Sequence, residues 1–316
     1  MTKDALLKPD YESLRETPQT FYLFGEHISH SRAPHLHNTL FNLVNLPWEY
    51  KLFESSNFVE INDVFDRESL IGSAITMPNK VVALNHVDVL DPIGHGCGSI
   101  NTVYTMLSPD GTRQRVGTNT DTVGIFEAIR QNYPEEADRF KGTPGLVYGA
   151  GGACRSAVYA LYKLLGVSKV YIINRIAEEV RAVQESMRSH GFTGEIIHVT
   201  DPEMAQKLES PKLVVLTVPD FEPTSPGEKL ARATLSVFEK QEQDEPGVVL
   251  EMCYHPRIET RLYNSFVASG WKVISGVEAM IYQGIAQQVL WTGIPLEQLP
   301  VKKVIEIIYK SIEDSK

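Results

Sequence analysis

Two patterns of apolar and polar positions follow each other along this chain. In the first part, apolar runs at Phe21–Gly25 and Gly72–Thr76 predict buried strands, and Trp48–Phe53 alternates as a half-buried strand does. The other elements predicted here are a loose polar arm over residues 1–20, helices over 34–46, 58–69 and from Pro78, and a hairpin of 102–107 with 112–118.

After Asp121 the pattern changes to short apolar strands that alternate with helical stretches. The predicted strands are 146–148, 170–173, 213–217, 248–251 and 273–275, and the predicted helices are 123–131, 156–165, 278–291 and 296–311. A repeated βα pattern predicts a parallel sheet with helices on both faces. We therefore predict an α/β protein with two domains: residues 1–121, completed by 275–316, and a Rossmann-type domain over 122–274.

Composition narrows the class of protein. The chain has 316 residues, of which 42% are hydrophobic and 22% charged, and its net charge is −10. Such a charge disfavours nucleic acid as a partner, because phosphate binding needs a basic surface. Its 3 cysteines are odd in number and widely spaced, which predicts neither a disulfide framework nor a metal site. Without a long apolar run we expect a cytoplasmic protein that binds no membrane; the oligomeric state stays open.

A glycine-rich turn follows the first strand of the second pattern. Val147 to Arg155 reads VYGAGGACR and leads into a helical stretch. Gly149 and Gly151 permit a tight turn and close backbone approach, and the helix start suits a dinucleotide pyrophosphate. Cys154 replaces the third glycine of the usual fingerprint, and a plain strand-to-helix turn is the alternative interpretation.

The next predicted strand ends in Asn174-Arg175. In dinucleotide-binding domains an acidic residue at this place hydrogen-bonds the 2′-hydroxyl of NAD, whereas an arginine accommodates the 2′-phosphate of NADP. The sequence therefore favours NADP, with NAD possible. A solvated arginine is the alternative.

Lys80 and Asp121 are a candidate proton shuttle. Lys80 ends the segment ITMPNK, and Asp121 ends GTNTD. A lysine and a carboxylate that meet at one hydroxyl can move its proton while a nicotinamide takes the hydride. From spacing alone, a solvated lysine and a helix N-cap remain alternatives.

These segments resemble those of the shikimate and quinate dehydrogenases, the fungal forms best. The resemblance runs from about Tyr22 to Trp291 in collinear order. Its motifs are GEHISHSRAPHLHN at 25–38, ITMPNK at 75–80, GSINT at 98–102, GTNTD at 117–121, the glycine turn, Asn174-Arg175, Tyr254 and Gln283.

The resemblance implies a substrate-binding first domain, an NAD(P)-dependent dehydrogenase of a shikimate- or quinate-like acid, and a role in aromatic amino acid biosynthesis or quinate metabolism. By resemblance, Lys80 and Asp121 are catalytic. The implied substrate-binding residues are Ser31, Thr76, Asn101, Tyr254 and Gln283. The implied cofactor-binding residues are Gly149, Ala150, Gly151, Gly152, Ala153, Asn174, Arg175, Thr217 and Gly276.

Three positions depart from the family pattern. Ala33 stands where a second serine is usual, Ala74 where an asparagine is usual, and the loop Thr217–Asp220 differs throughout. These departures keep two alternatives open: a non-catalytic sensor of a quinate-like ligand, and a dehydrogenase of a different ring acid.

Overall fold

The computed structural model describes residues 5–67, 70–135, 137–241 and 244–314. The chain divides into two compact units. Unit 1 holds the described residues up to Thr120 and those from Gln283 onward, and unit 2 runs from Asp121 to Tyr282.

Unit 1 is built on a mixed sheet with the strand order β2-β1-β3-β5-β6-β4. Its strands are β1 (Gln19–Gly25), β2 (Trp48–Glu54), β3 (Gly72–Ile75), β4 (Val89–Leu90), β5 (Thr102–Leu107) and β6 (Arg113–Thr118). β1 is parallel to both of its neighbours, whereas β5 is antiparallel to β3 and to β6. The β5–β6 pair confirms the predicted hairpin.

The helices of unit 1 correct two predictions. They are α1 (Tyr11–Glu16), α2 (Ala33–Leu43), α3 (Phe58–Phe65), α4 (Pro92–Cys97) and α12 (Val301–Glu313), with 3-10 turns at Val82–His86 and Leu296–Gln298. The first 20 residues were expected to be a loose arm, but α1 is anchored there: the Tyr11 hydroxyl donates to the Leu290 carbonyl (3.0 Å) and the Arg15 guanidinium to that of Thr292 (2.8 Å).

The helix expected from Pro78 is instead the short 3-10 turn. An α-helix would use the Lys80 carbonyl as the acceptor for the amide of residue 84. That carbonyl accepts from the Ile100 amide (2.9 Å), and the Leu84 amide donates to Val81 instead (3.2 Å).

Unit 2 is a parallel sheet with the order β12-β11-β10-β7-β8-β9. Its strands are β7 (Gly145–Tyr148), β8 (Lys169–Ile173), β9 (Glu195–His198), β10 (Leu213–Leu216), β11 (Val248–Glu251) and β12 (Lys272–Ser275). Numbered within the unit, this is the order 3-2-1-4-5-6 of a dinucleotide-binding fold, which places a ligand beyond the carboxyl ends of β7 and its neighbours.

Helices cover both faces of this sheet, as predicted. They are α5 (Asp121–Asn132), α6 (Gly152–Tyr159), α7 (Ala177–Ser189), α8 (Pro202–Gln206), α9 (Pro226–Lys240) and α10 (Arg261–Ala268), with a 3-10 turn at Ala137–Phe140 and a π turn at Ala160–Leu164. The helix α11 (Gly276–Thr292) begins in unit 2 and continues into unit 1. Neighbouring residues of one strand join different apolar clusters: Val147 lies in one and Leu146 in the other. Strands buried on both faces have continuous apolar runs, which is why the sequence identified them.

Across the described residues, no helix has the length and apolarity that a membrane crossing needs. The same residues contain no cluster of three or more His, Cys, Asp or Glu side chains able to hold a metal ion.

Candidate active site

The turn after β7 can be made only by glycine. Gly149 has a φ of +109°, and a Cβ atom there would lie 2.6 Å from Thr217 Oγ1 and 2.9 Å from Val218 Cγ2. The Thr217 hydroxyl donates to the Tyr148 carbonyl (2.9 Å), and the Gly149 amide donates to the Ile173 carbonyl (2.8 Å). The altered loop after β10 therefore braces the turn that leads into α6.

The start of α6 has room for an anion. Among the described residues, no heavy atom comes within 4 Å of a Cβ built on Gly151, and no side chain caps this end of the helix. Amide groups at an uncapped helix N-terminus, with Gly152 and Ala153 in the first turn, form a cradle for a pyrophosphate. These residues fit a dinucleotide cofactor.

Cys154 shows why the third glycine of the fingerprint can be replaced. Its side chain is fully buried in the apolar cluster that holds Ile125 and Val147, so it packs the helix against the core. Burial raises the pKa of this thiol to about 12, which keeps it protonated and unreactive.

The tip of β8 carries Asn174 and Arg175, each with a partner. Asn174 Nδ2 donates to the Ile176 carbonyl (2.9 Å) and to Glu179 Oε2 (2.7 Å). The Arg175 guanidinium forms an ion pair with Glu228, in the first turn of α9. Reasoning from the sequence missed this pair, although Ser225-x-x-Glu228 is a recognisable capping box.

In unit 1, a network of side chains joins Asn101 to Gln283. Asn101 Oδ1 accepts from the Thr120 amide (2.7 Å) and the Thr102 hydroxyl (2.7 Å). Asn101 Nδ2 donates to Gln283 Oε1 (3.3 Å), which also accepts from Thr120 Oγ1 (3.2 Å). Two residues 182 positions apart in sequence are thus held side by side.

The network continues into the core of unit 1. Gln287 Nε2 donates to Thr102 Oγ1 (2.9 Å), and Gln287 Oε1 lies 3.0 Å from His37 Nε2. His37 stacks on Tyr50 with their ring centroids 4.4 Å apart, and burial lowers its pKa to about 3. A neutral, fully enclosed imidazole is a structural group, and it fixes the α11 face that carries Gln283.

The backbone of Lys80 lies beside this network. Its carbonyl accepts from Ile100, the residue before Asn101. The preceding Asn79 is 2% exposed, and its Nδ2 donates to the Ser55 carbonyl (2.8 Å). Asp121 is the first residue of α5 and is covalently joined to Thr120, which belongs to the network. A carboxylate at that end of a helix is favoured by the helix dipole.

Ser31 and Thr76 are carried by adjoining segments of unit 1. The Thr76 amide donates to Phe24 (2.8 Å), and Gly25 lies against the Thr76 methyl group, where a Cβ would be 2.3 Å away. Ser31 follows in the loop after β1, and its Oγ accepts from the Ala33 amide (3.2 Å). Ala33 is only 7% exposed and packs in the apolar core.

Tyr254 and Gly276 belong to unit 2. Tyr254 lies in the loop after β11, half-buried. Gly276 starts α11, and a Cβ there would lie 2.4 Å from the Met252 carbonyl oxygen. Gly276 therefore permits a close approach of two backbones next to the loop that carries Tyr254.

Glu251, the last residue of β11, is a buried acidic group that the sequence pattern did not identify as a candidate. Glu251 is 1% exposed, and its carboxyl oxygens accept from the Cys253 amide (2.9 Å) and the Thr260 hydroxyl (2.8 Å). Burial, with a smaller contribution from the Asp220 carboxylate, raises its pKa to about 8 against the lowering effect of these two hydrogen bonds. The Asp220 side chain is 2% exposed and ion-pairs with Arg261 (3.6 Å), which gives the altered loop a structural role.

Comparison with known proteins shows the family of the chain. The chain is 39% identical over 312 residues to the quinate dehydrogenase of Emericella nidulans, and the match covers 93% of this chain and 94% of that protein. The chain belongs to the shikimate and quinate dehydrogenase family. Residues 23–103 match the family described as the shikimate dehydrogenase substrate binding domain.

Solved structures share the fold of this family member. Shikimate 5-dehydrogenase from Thermus thermophilus, in complex with NADP(H) and shikimate, is 25% identical with a TM-score of 0.70, covering 91% of this chain and 97% of that one. Quinate dehydrogenase from Corynebacterium glutamicum, in complex with NAD, is 21% identical with a TM-score of 0.74, covering 93% and 100%. The comparisons confirm the resemblance, the two-domain α/β fold class and the NAD(P)-dependent dehydrogenase class.

Proposed function

We propose that this protein transfers a hydride reversibly between NADP or NAD and a ring hydroxyl of a shikimate- or quinate-like acid. The observation that carries the proposal is the Asn101–Thr120–Gln283 network, because it holds two amide groups together beside the backbone of Lys80. The extended similarity to a quinate dehydrogenase supports the same substrate class.

The amides would bind ring hydroxyl groups. The Thr120 amide and the Thr102 hydroxyl donate to Asn101 Oδ1, so its orientation is fixed with Nδ2 directed to Gln283. A side-chain amide carries both an acceptor oxygen and N–H donors, which is the chemistry that binds a hydroxyl group. We propose that these two neighbouring amide groups bind a vicinal pair of ring hydroxyls.

Lys80 and Asp121 are proposed as the proton shuttle. Both are tied to the hydroxyl-binding residues by the backbone: the Lys80 carbonyl accepts from the residue before Asn101, and Asp121 follows Thr120. Lys80 would take the hydroxyl proton as the ketone forms, and Asp121 would orient the ammonium group.

Ser31, Thr76 and Tyr254 are proposed for the carboxylate end of the substrate. Ser31 Oγ accepts from the Ala33 amide, so its hydroxyl hydrogen can be directed to a carboxylate. Ala33 offers no second hydroxyl, and its burial in the core favours the proposal that the preferred acid differs from shikimate in this region.

The nicotinamide ring of the bound cofactor would accept the hydride. Gly149, Ala150, Gly151, Gly152 and Ala153 would hold the pyrophosphate. Asn174 and Arg175 would hold the adenosine ribose, and Thr217 and Gly276 would border the nicotinamide half.

The test is a spectrophotometric assay of the purified protein with shikimate, quinate and a panel of related ring acids, each with NAD and with NADP. We expect turnover with at least one acid, loss of turnover in Lys80→Ala, and wild-type rates in the control Lys51→Ala, whose lysine pairs with Glu49 on the surface of β2. Ring acids that bind by calorimetry without any turnover would instead identify a sensor.

A further inference from the structure

The arginine expected to bind a 2′-phosphate is already paired. The Arg175 guanidinium contacts Glu228, and the Arg175 side chain is 48% exposed whereas that of Glu228 is 12% exposed. Gly227 brings the start of α9 against the tip of β8, since a Cβ on Gly227 would lie 3.5 Å from Arg175 Cβ. The acidic partner is therefore the more enclosed member of the pair.

Glu228 is held in place by the start of its helix. Its Oε2 accepts from the amides of Ser225 (2.9 Å) and Thr224 (3.0 Å), and the Ser225 hydroxyl accepts from the Glu228 amide (3.3 Å). Hydrogen bonds from the Ser225 and Thr224 amides lower the pKa of this carboxyl to about 2. Glu228 is thus a fixed anion throughout the working pH range, not a mobile counterion.

The tip of β8 has further acidic character. Glu179 Oε2 accepts from Asn174 Nδ2 (2.7 Å), which brings a second carboxylate to this loop. Ile176 follows Arg175 with an apolar side chain that is 37% exposed. An anion bound at Arg175 would therefore meet the guanidinium together with the Glu228 carboxylate.

We propose that Glu228 is a specificity-determining residue of the cofactor site, which weakens the binding of a 2′-phosphate at Arg175 and shifts the preference from NADP toward NAD. A phosphate monoester carries about −1.5 to −2 charges at neutral pH. The fixed carboxylate repels it and competes for the guanidinium, whereas the neutral 2′-hydroxyl of NAD meets no such opposition. The inference rests on the proposed function only in placing the adenosine ribose at Asn174 and Arg175.

The test compares 2′,5′-ADP with 5′-AMP, which differ only by the 2′-phosphate, by calorimetric titration of the full chain without substrate. In Glu228→Gln the affinity ratio of 2′,5′-ADP to 5′-AMP should rise about 10–100-fold, as expected for removing one nearby like charge at intermediate dielectric. Glutamine retains an oxygen acceptor for the capping box. The control Glu203→Gln makes the same change in net charge in the exposed Lys207 pair and should leave the ratio unchanged.

A ratio within about twofold of wild type in Glu228→Gln would overturn the inference, since removing a neighbouring unit charge should change it far more. If the variant does not fold, the salt dependence of the same affinity ratio in the wild-type protein tests the inference instead. A phosphate next to the Arg175–Glu228 ion pair meets little net charge from that pair, so the ratio should change less than about threefold from about 0.05 M to about 0.5 M salt. A steep fall would show that Arg175 acts unopposed and would overturn the inference. If neither nucleotide binds the wild-type protein, the proposed cofactor site is wrong. That result differs from an unchanged affinity ratio and from a steep salt dependence, which would overturn only the role of Glu228.

Discussion

Replacing Glu251 with glutamine should make the protein more stable in a way that grows with pH. Glu251 is 1% exposed, and burial raises its pKa from 4.5 to about 8, while its two hydrogen bonds oppose this rise. The folded state therefore holds a proton that the unfolded chain has released at neutral pH. Stability from this group is complete below about pH 4.5, declines as pH rises, and is lost once pH passes about 8.

The magnitude follows from the distance between the two pKa values. With one extra proton in the folded state, the free energy of unfolding falls by about 1.4 kcal/mol per pH unit in this window. Over the whole window the loss is on the order of 4–5 kcal/mol at 1.36 kcal/mol per pH unit. Glutamine has nearly the same shape and does not titrate; its oxygen can accept from the Cys253 amide and its nitrogen can donate to the Thr260 hydroxyl oxygen, as a protonated Glu251 can.

The assay is urea unfolding of wild type and Glu251→Gln at several pH values from about 5 to about 9, the window in which the linkage operates. The stability of the variant relative to wild type should rise steadily up to about pH 8 and then level off. Glu203→Gln, which changes an exposed ion pair with Lys207, provides the control and should show no such trend. A difference between Glu251→Gln and wild type that stays constant over this range would refute the reasoning, because it would mean that Glu251 is already ionised.

Three further predictions concern the candidate active site. Lys80→Ala should lower kcat by about 10²–10⁴-fold with cofactor affinity retained, and a variant that keeps a third of the wild-type rate, far above that range, removes Lys80 from the mechanism. Asp121→Asn should lower activity and displace the pH–rate profile, and an unchanged profile would separate Asp121 from the proton transfer. Gly149→Ala should abolish cofactor binding in a calorimetric titration, since its Cβ would lie 2.6 Å from Thr217 Oγ1; near-normal affinity would show that the turn can move.

The sequence predicted those strands and helices that have a recognisable apolar pattern within their own residues. Val248–Glu251 and Leu213–Leu216 are short apolar runs between helices, and each became a strand buried on both faces. The helix α1 was missed because it has no buried residue of its own, and bonds from Tyr11 and Arg15 to residues almost 280 positions away hold it in place. A pattern read along the chain cannot contain contacts of that kind.

The same distinction applies to the candidate site. Arg175 could be selected from its place after a strand, but its partner Glu228 lies 53 residues further along the chain. The pKa of Glu251 depends on burial and on Asp220, which only the folded unit brings together. Sequence motifs thus identify candidate groups. Their charge states, and the side chains that compete with a ligand for them, depend on packing.

The contact between Thr120 and Gln283 has a consequence for how this chain can be engineered. The polypeptide leaves unit 1 after Thr120 and re-enters it at Gln283, and these two side chains are hydrogen-bonded at 3.2 Å. Topologically, unit 2 is an insert whose entry and exit points are adjacent in its host. A linker of only a few residues should therefore close unit 1 after excision of residues 121–282, and the two junctions form a natural pair of sites for exchanging one nucleotide-binding module for another.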